Sequence, residues 1–181
     1  MLALEYAFTR PEGLAGLVLN STPTSAPRWA VETLKLHAEL PSGLDEKEAE
    51  AEFKRRHICR LDPEPEVLAR ARAKFGKQVY ETMWGPNEFT VTGTLKDWDV
   101  IGRLGEIRVP TVITSGRHDE CTPKLVEPLH EGIAGSEWVI FEDSAHMPYL
   151  EETQRYLKVV ADFLERVEAR RVAGLEVQGF L

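Results

Sequence analysis

The sequence predicts an α/β domain: a small parallel sheet flanked by helices and interrupted by a helical insertion. Three observations carry this. Residues 14–20 (LAGLVLN), 111–115 (TVITS) and 137–141 (EWVIF) are short, largely apolar runs bounded by turn residues, and such runs fit parallel strands buried on both faces. A helical pattern follows each run, the order that builds parallel sheets. Between the first and second runs lies a long stretch of different character, rich in Glu, Lys, Arg and Ala.

The elements follow in order. Met1, Leu2, Ala3, Leu4, Tyr6, Ala7 and Phe8 predict a short, mostly apolar helix that must stop before Pro11. No Ser, Thr, Asp or Asn stands ready to cap it, so a preceding segment is expected. The insertion predicts three helices, over 29–40, 45–59 and 65–83, punctuated by Pro41-Ser42-Gly43 and Leu61-Asp62-Pro63. Its charged stretch at 45–56 reads as a solvated helix face. Thr122-Pro123 has the form of an N-cap followed by proline at the first helical position, opening a helix over 124–133. Tyr156, Leu157, Val159, Val160, Phe163, Leu164 and Val167 form the stripe of an amphipathic helix starting near Thr153. The expected division is a core of 1–23 and 101–168, a helical cap at 24–100, and a tail at 169–181.

Composition narrows the function. With 181 residues, 43% of them hydrophobic, the chain can bury a real core. Its net charge of −8 gives no basic footprint for nucleic acid. No apolar stretch is long enough to span a membrane, and the amino-terminal residues lack the basic region of a secretory signal. Cys59 and Cys121 stand far apart with no metal-ligand spacing, which fits reduced thiols and a cytoplasmic location. Neither a metal cluster nor a phosphate-binding glycine loop is present in the sequence, so no cofactor is expected.

Two polar clusters remain. Gly116-Arg117-His118-Asp119-Glu120 follows the second strand, and Ser144-Ala145-His146-Met147-Pro148 follows the third. Ligands of open α/β sheets bind at the carboxyl ends of strands, so both clusters should share one edge. An Asp and a His meeting there supply two parts of a nucleophile–base–orienter triad: the His takes the nucleophile's proton, and the carboxylate fixes its tautomer and stabilises the imidazolium.

Val109-Pro110-Thr111 leading into a strand, then Gly116 to Asp119, then Ser144-Ala145-His146, resembles the last part of an α/β-hydrolase. Residues 17–21 (LVLNS), 59–63 (CRLDP), 84–89 (WGPNEF) and 93–99 (GTLKDWD) are similar to the proline iminopeptidases within that superfamily. The resemblance implies three parallel strands with an inserted helical cap. It implies a serine aminopeptidase that removes N-terminal proline through an acyl-enzyme, with Asp119 and His146 as triad acid and base. It further implies that Glu88, in the GPNEF motif, and Glu120, beside the triad Asp, hold the substrate's ammonium. Apart from it, Glu88 reads as a loop acid and Glu120 as a helix-terminal charge. Trp84, Phe89 and Trp98 are candidates for a prolyl slot or for packing; His37, His57 and His130 read as helix-surface histidines. The family's nucleophile sits in a Gly-x-Ser-x-Gly elbow, and none of Ser21, Ser42, Ser115, Ser136 or Ser144 stands in that frame. The expectation is a chain inactive on its own, with self-association through an exposed strand edge. Another α/β-hydrolase activity (esterase or amidase) and a non-catalytic fragment remain alternatives.

Overall fold

A computed structural model describes residues 1–174. Three strands form one parallel sheet in the order β1 (Leu17–Asn20), β2 (Thr111–Gly116), β3 (Glu137–Phe141). β2 lies in the middle and is buried along its whole length, as an apolar run between two neighbours should be. β1 and β3 are less completely covered: Val18 and the stretch Trp138–Ile140 are half-buried, and Glu137 is exposed. Both-face burial holds for the central strand only, because the outer strands have one neighbour each among the described residues.

Side chains alternate across the sheet. Leu17, Leu19 and Ile113 enter the larger core with Leu4, Ala7 and Phe8 of α1 (Leu2–Phe8) and Leu125, Val126 and Leu129 of α6 (Pro123–Gly132). Val18 and Val112 point the other way, onto Val159, Phe163 and Val167 of α8 (Thr153–Val172). Period-two alternation thus gives the sheet a helical layer on each face. α8 continues four residues past the expected 168 boundary, and residues 175–181 of the expected tail lie outside the described residues.

The insertion supplies α2 (Ala26–Ala38), α3 (Glu46–His57), α4 (Glu66–Arg72) and α5 (Lys77–Met83). The third expected helix is therefore two helices, with the break at Ala73–Gly76; glycine carries the largest helix penalty of any residue but proline. The Ser25 side chain accepts the Arg28 N–H at the start of α2, and Asp45 and Glu48 form a reciprocal capping box on α3. Thr122, expected to cap α6, makes no side-chain cap bond. Among the described residues, no helix is long and apolar enough to cross a membrane.

One glycine lets the loops after β2 and β3 meet. The register pairs Gly116 with Phe141, so both loops leave the sheet at one edge. A Cβ on Gly116 would stand 2.0 Å from the Ala145 carbonyl oxygen and 2.4 Å from that of Ser144. With no side chain there, Arg117 N–H donates to Phe141 O at 2.9 Å and His118 N–H to Ser144 O at 3.0 Å.

Candidate active site

The two loops place Asp119 against His146. Asp119 is buried, and its Oδ1 accepts the Cys121 backbone N–H at 2.8 Å while holding His146 Nδ1 at 2.8 Å. A carboxylate only accepts, so Nδ1 carries the proton in this contact and Nε2 is the acceptor of the neutral ring. The loop-capping role and the His-orienting role of Asp119 therefore coexist on one oxygen. Among the described residues, no side chain hydrogen-bonds Nε2.

Glu120 lies alongside. It is 3% exposed, its Oε1 stands 3.9 Å from His146 Nδ1, and its Oε2 has no hydrogen-bond partner among the described residues. Burial holds its carboxyl well above the usual range, and the nearby charges of Glu88 and Asp119 push the same way, against the pull of His146. Apart from the family resemblance Glu120 reads as a helix-terminal charge, but its side chain turns into the interior.

Glu88 reaches this cluster from the insertion. Its carboxyl is raised chiefly by burial, while Tyr80 and His146 pull it down. The loop that carries it is held by two tryptophans: the indole N–H groups of Trp29 and Trp84 both point at the Glu88 carbonyl oxygen, at 2.8 and 3.4 Å. Those two rings meet edge to face at 5.7 Å, an arrangement favoured by the aromatic quadrupole. Gly85 takes φ +151°, and a Cβ there would lie 1.9 Å from Thr90 O, so the turn at this point requires glycine. The Tyr80 phenol faces Glu88, its ionisation pushed up by burial and by that charge. Its hydroxyl is buried and completes no hydrogen bond of ordinary geometry, and Asn87 Oδ1 is in the same condition.

The imidazole sits among these acids. Burial lowers the affinity of His146 for a proton, but the charge and hydrogen bond of Asp119, with Glu120 and Glu88, more than offset it and raise its pKa to about 9. The site thus gathers three carboxyl groups around one imidazole, with unsatisfied oxygens on Asp119 and Glu120. Such a cluster can orient a histidine and receive a cationic group. Its donors do not form a metal cluster among the described residues.

Other expected features fall elsewhere. Trp84 is buried and part of the main core. Phe89 packs on Phe53 and His37 at centroid distances of 5.5 and 4.6 Å. Trp98 donates its indole N–H to Glu5 at 2.7 Å. These rings are accounted for by packing and local bonds. His57 is no surface histidine: its Nδ1 donates to His118 O at 2.9 Å, and its own carbonyl accepts the Glu120 N–H at 3.1 Å. The end of α3 is thereby fastened to the loop bearing Asp119 and Glu120. Trp29 and His57 carried no sequence signal for these roles, since their partners lie 59 and 61 residues away in the chain, and Tyr80, though near Glu88 in sequence, reads only as one more residue of a helix.

Comparison with known proteins finds relatives among the proline iminopeptidases. The chain is 39% identical to a proline iminopeptidase of Saccharolobus solfataricus, over 92% of this chain and 59% of that protein. It is 36% identical to one from Clostridium botulinum, over 92% of this chain and 63% of the other. Among solved structures, the proline iminopeptidase of Mycobacterium smegmatis superposes with a TM-score of 0.87 at 35% identity, covering 94% of this chain and 63% of that one. VinJ gives a TM-score of 0.87 at 38% identity, covering 92% and 62%. MenH from S. aureus, at 20% identity and a TM-score of 0.58, shares the fold. No protein-family model matches the chain. The chain spans about three fifths of the length of the relatives it matches.

Proposed function

We propose, from a chain homologous to part of the proline iminopeptidases and folded as that part of an α/β-hydrolase, that this site is the acid–base and amine-recognition half of a serine aminopeptidase acting on N-terminal proline. Asp119 fixes the tautomer of His146 and stabilises its imidazolium. His146 is the general base toward a serine nucleophile and then the general acid toward the leaving amine. Glu88 and Glu120 take the substrate's free ammonium through charge-assisted hydrogen bonds, which a blocked amine cannot make. No metal or cofactor enters this chemistry. Two free, buried cysteines suit a reducing, cytoplasmic setting.

One observation carries the reading. The Glu120 carboxylate is buried and leaves Oε2 without a partner, beside the Glu88 carboxyl and the unsatisfied Tyr80 hydroxyl. Buried polar atoms are nearly always satisfied in native proteins, so such a group of orphans asks for a donor. A primary or secondary ammonium supplies both the donors and the missing positive charge.

Because none of its serines stands in a Gly-x-Ser-x-Gly frame, the 181-residue chain is expected to bind such a ligand without turning it over. Binding therefore tests the reading. Prolinamide should bind and N-acetylprolinamide should not, by calorimetry or NMR titration, and Glu88→Gln should weaken prolinamide roughly thirty-fold or more, as loss of a buried charged partner does. Equal binding of both amides, or no effect of Glu88→Gln, would return Glu88 to a loop role and favour an esterase or amidase. The outer edge of β1 pairs with no strand among the described residues, and such an edge is a template for self-association. A monodisperse monomer in sedimentation would count against that part.

A further inference from the structure

The loop that carries His146 is held by a residue outside the acid cluster. Glu151 closes the short helix α7 (Pro148–Glu151). Its Oε2 accepts the backbone N–H of Ala145 at 2.9 Å and that of Met147 at 3.2 Å, the two residues flanking His146. Its Oε1 accepts the Arg60 N–H at 2.7 Å, from the segment that follows α3. One carboxylate therefore spans the base-bearing loop and the helical insertion. Its neighbour Glu152 works on the same loop one step earlier, accepting from Ser144 Oγ at 2.7 Å and the Asp143 N–H at 3.3 Å.

We propose that Glu151 is a positioning residue: it sets the backbone on both sides of His146 so that the imidazole meets Asp119, and it ties that setting to the seat of the insertion through Arg60. The proposal rests on His146 being the base, but its geometry does not depend on the substrate. A peptide N–H on each side of His146 fixes the loop's direction, and direction decides whether Nδ1 reaches a carboxylate. The bond to Arg60 makes this setting respond to the insertion that also brings in Glu88. A surface acid on a short helix would make none of these three bonds.

The chemistry of the carboxylate suggests two variants that separate the functions. Glu151→Gln keeps one oxygen, able to accept from Ala145 and Met147, but turns its NH2 group toward the Arg60 N–H. Glu151→Ala removes all three acceptor contacts. The test is amide hydrogen exchange of Ala145, Met147 and Arg60, with an NMR titration of the His146 ring, in the full 181-residue chain. The charged groups facing that ring are Asp119 and Glu120 from the loop after β2, and Glu88 from the insertion.

Glu151→Ala is expected to speed exchange at all three amides by about tenfold or more and to move the His146 titration down toward that of a free imidazole. Glu151→Gln should speed Arg60 alone and leave the titration near that of the parent. Should Glu151→Ala not fold, the Gln variant decides: unchanged Arg60 exchange overturns the tie to the insertion. A folded Glu151→Ala chain with parental exchange at Ala145 and Met147 and a parental His146 titration overturns the positioning role. Neither readout uses turnover, so failure of the aminopeptidase reading leaves this result standing, and the reverse.

Discussion

Glu120 Oε1 lies 3.9 Å from His146 Nδ1, the ring nitrogen that Asp119 Oδ1 holds at 2.8 Å. Consecutive residues thus press two carboxyl groups against one edge of one imidazole, and Glu88 adds a third from the insertion. Like charges gathered out of water are costly unless a cation joins them. Among the described residues the imidazolium is the cation that acts on both Glu88 and Glu120, with Lys54 adding a weaker pull on Glu88. A base must be neutral to accept a proton, so on the proposed aminopeptidase reading the acids that would take the substrate's ammonium also keep His146 protonated until that ammonium neutralises them.

The first prediction concerns pH and stability. His146 goes from an unfolded value of 6.5 to about 9 in the folded chain. A raised folded value means stabilisation that is complete below pH 6.5 and lost as pH rises through 9. Glu88 and Glu120 are also raised, and their sign is the same: their contribution is complete below the ordinary carboxyl range and lost as pH climbs through their folded values. Urea unfolding should therefore show stability falling from neutral pH toward pH 10, by at most on the order of 3 kcal/mol from the histidine. A flat profile between pH 6.5 and 9.5 would refute the charge cluster.

The second prediction is the ligand-linked counterpart. If an ammonium neutralises Glu88 and Glu120, the pull that raises His146 weakens, and its pKa should drop by about one unit or more, which is at least 1.4 kcal/mol of changed interaction. The readout is the His146 ring signal titrated with and without saturating prolinamide. N-acetylprolinamide, carrying no charge, should leave the midpoint where it was. A midpoint unmoved by prolinamide would separate amine binding from base activation.

The third prediction tests how Glu88 is held. At Gly85 a β-carbon would collide with Thr90 O at 1.9 Å, and φ is +151°. Gly85→Ala must therefore move the turn that precedes Glu88, costing about 2 kcal/mol or more. Chemical denaturation should show that loss, and prolinamide affinity should fall with it. Retained affinity in a destabilised chain would mean that the two indole bonds to the Glu88 carbonyl hold the carboxylate without the turn.

Much of this was legible in the sequence, and the limits have physical causes. The three strands, and the helix beginning at Thr153, were visible because burial on one or both faces writes a periodic pattern. Asp119 and His146 were visible because strand-end loops are where open α/β sheets place chemistry. The break at Ala73–Gly76 is marked in the sequence by Gly76 alone, inside a stretch rich in Ala, Arg and Lys whose propensity otherwise favours one continuous helix. The double indole contact to Glu88 and the Glu151 clamp left no trace, since Trp29 meets residue 88 and Glu151 meets residue 60 only through the tertiary fold. Glu120 shows the difference most clearly: apart from the family resemblance it reads, beside Thr122-Pro123, as a helix-terminal charge, and only its burial reveals the unsatisfied oxygen.

The last prediction is about turnover. A general base works on a nucleophile within hydrogen-bond reach of its free nitrogen, and Nε2 of His146 has no such partner among the described residues. Ser21 is the serine whose hydroxyl bonds the His146 residue: it is buried, sits at φ +45° just after β1, and its Oγ donates to His146 O at 3.4 Å. That bond goes to the backbone carbonyl, not to the ring, so the base cannot withdraw its proton. The 181-residue chain should release no arylamine from a prolyl arylamide above the uncatalysed rate, because losing the nucleophile from a triad costs on the order of a million-fold in kcat. Two variants make the expectation sharp. Turnover abolished by both Ser21→Ala and His146→Ala would make Ser21 the nucleophile and require its hydroxyl to swing onto Nε2. Turnover abolished by His146→Ala alone would require a nucleophile other than Ser21. If the chain is silent yet binds prolinamide and not its acetylated form, amine recognition is present in it, and a hydroxyl presented to Nε2 is among the parts that the chemistry still needs.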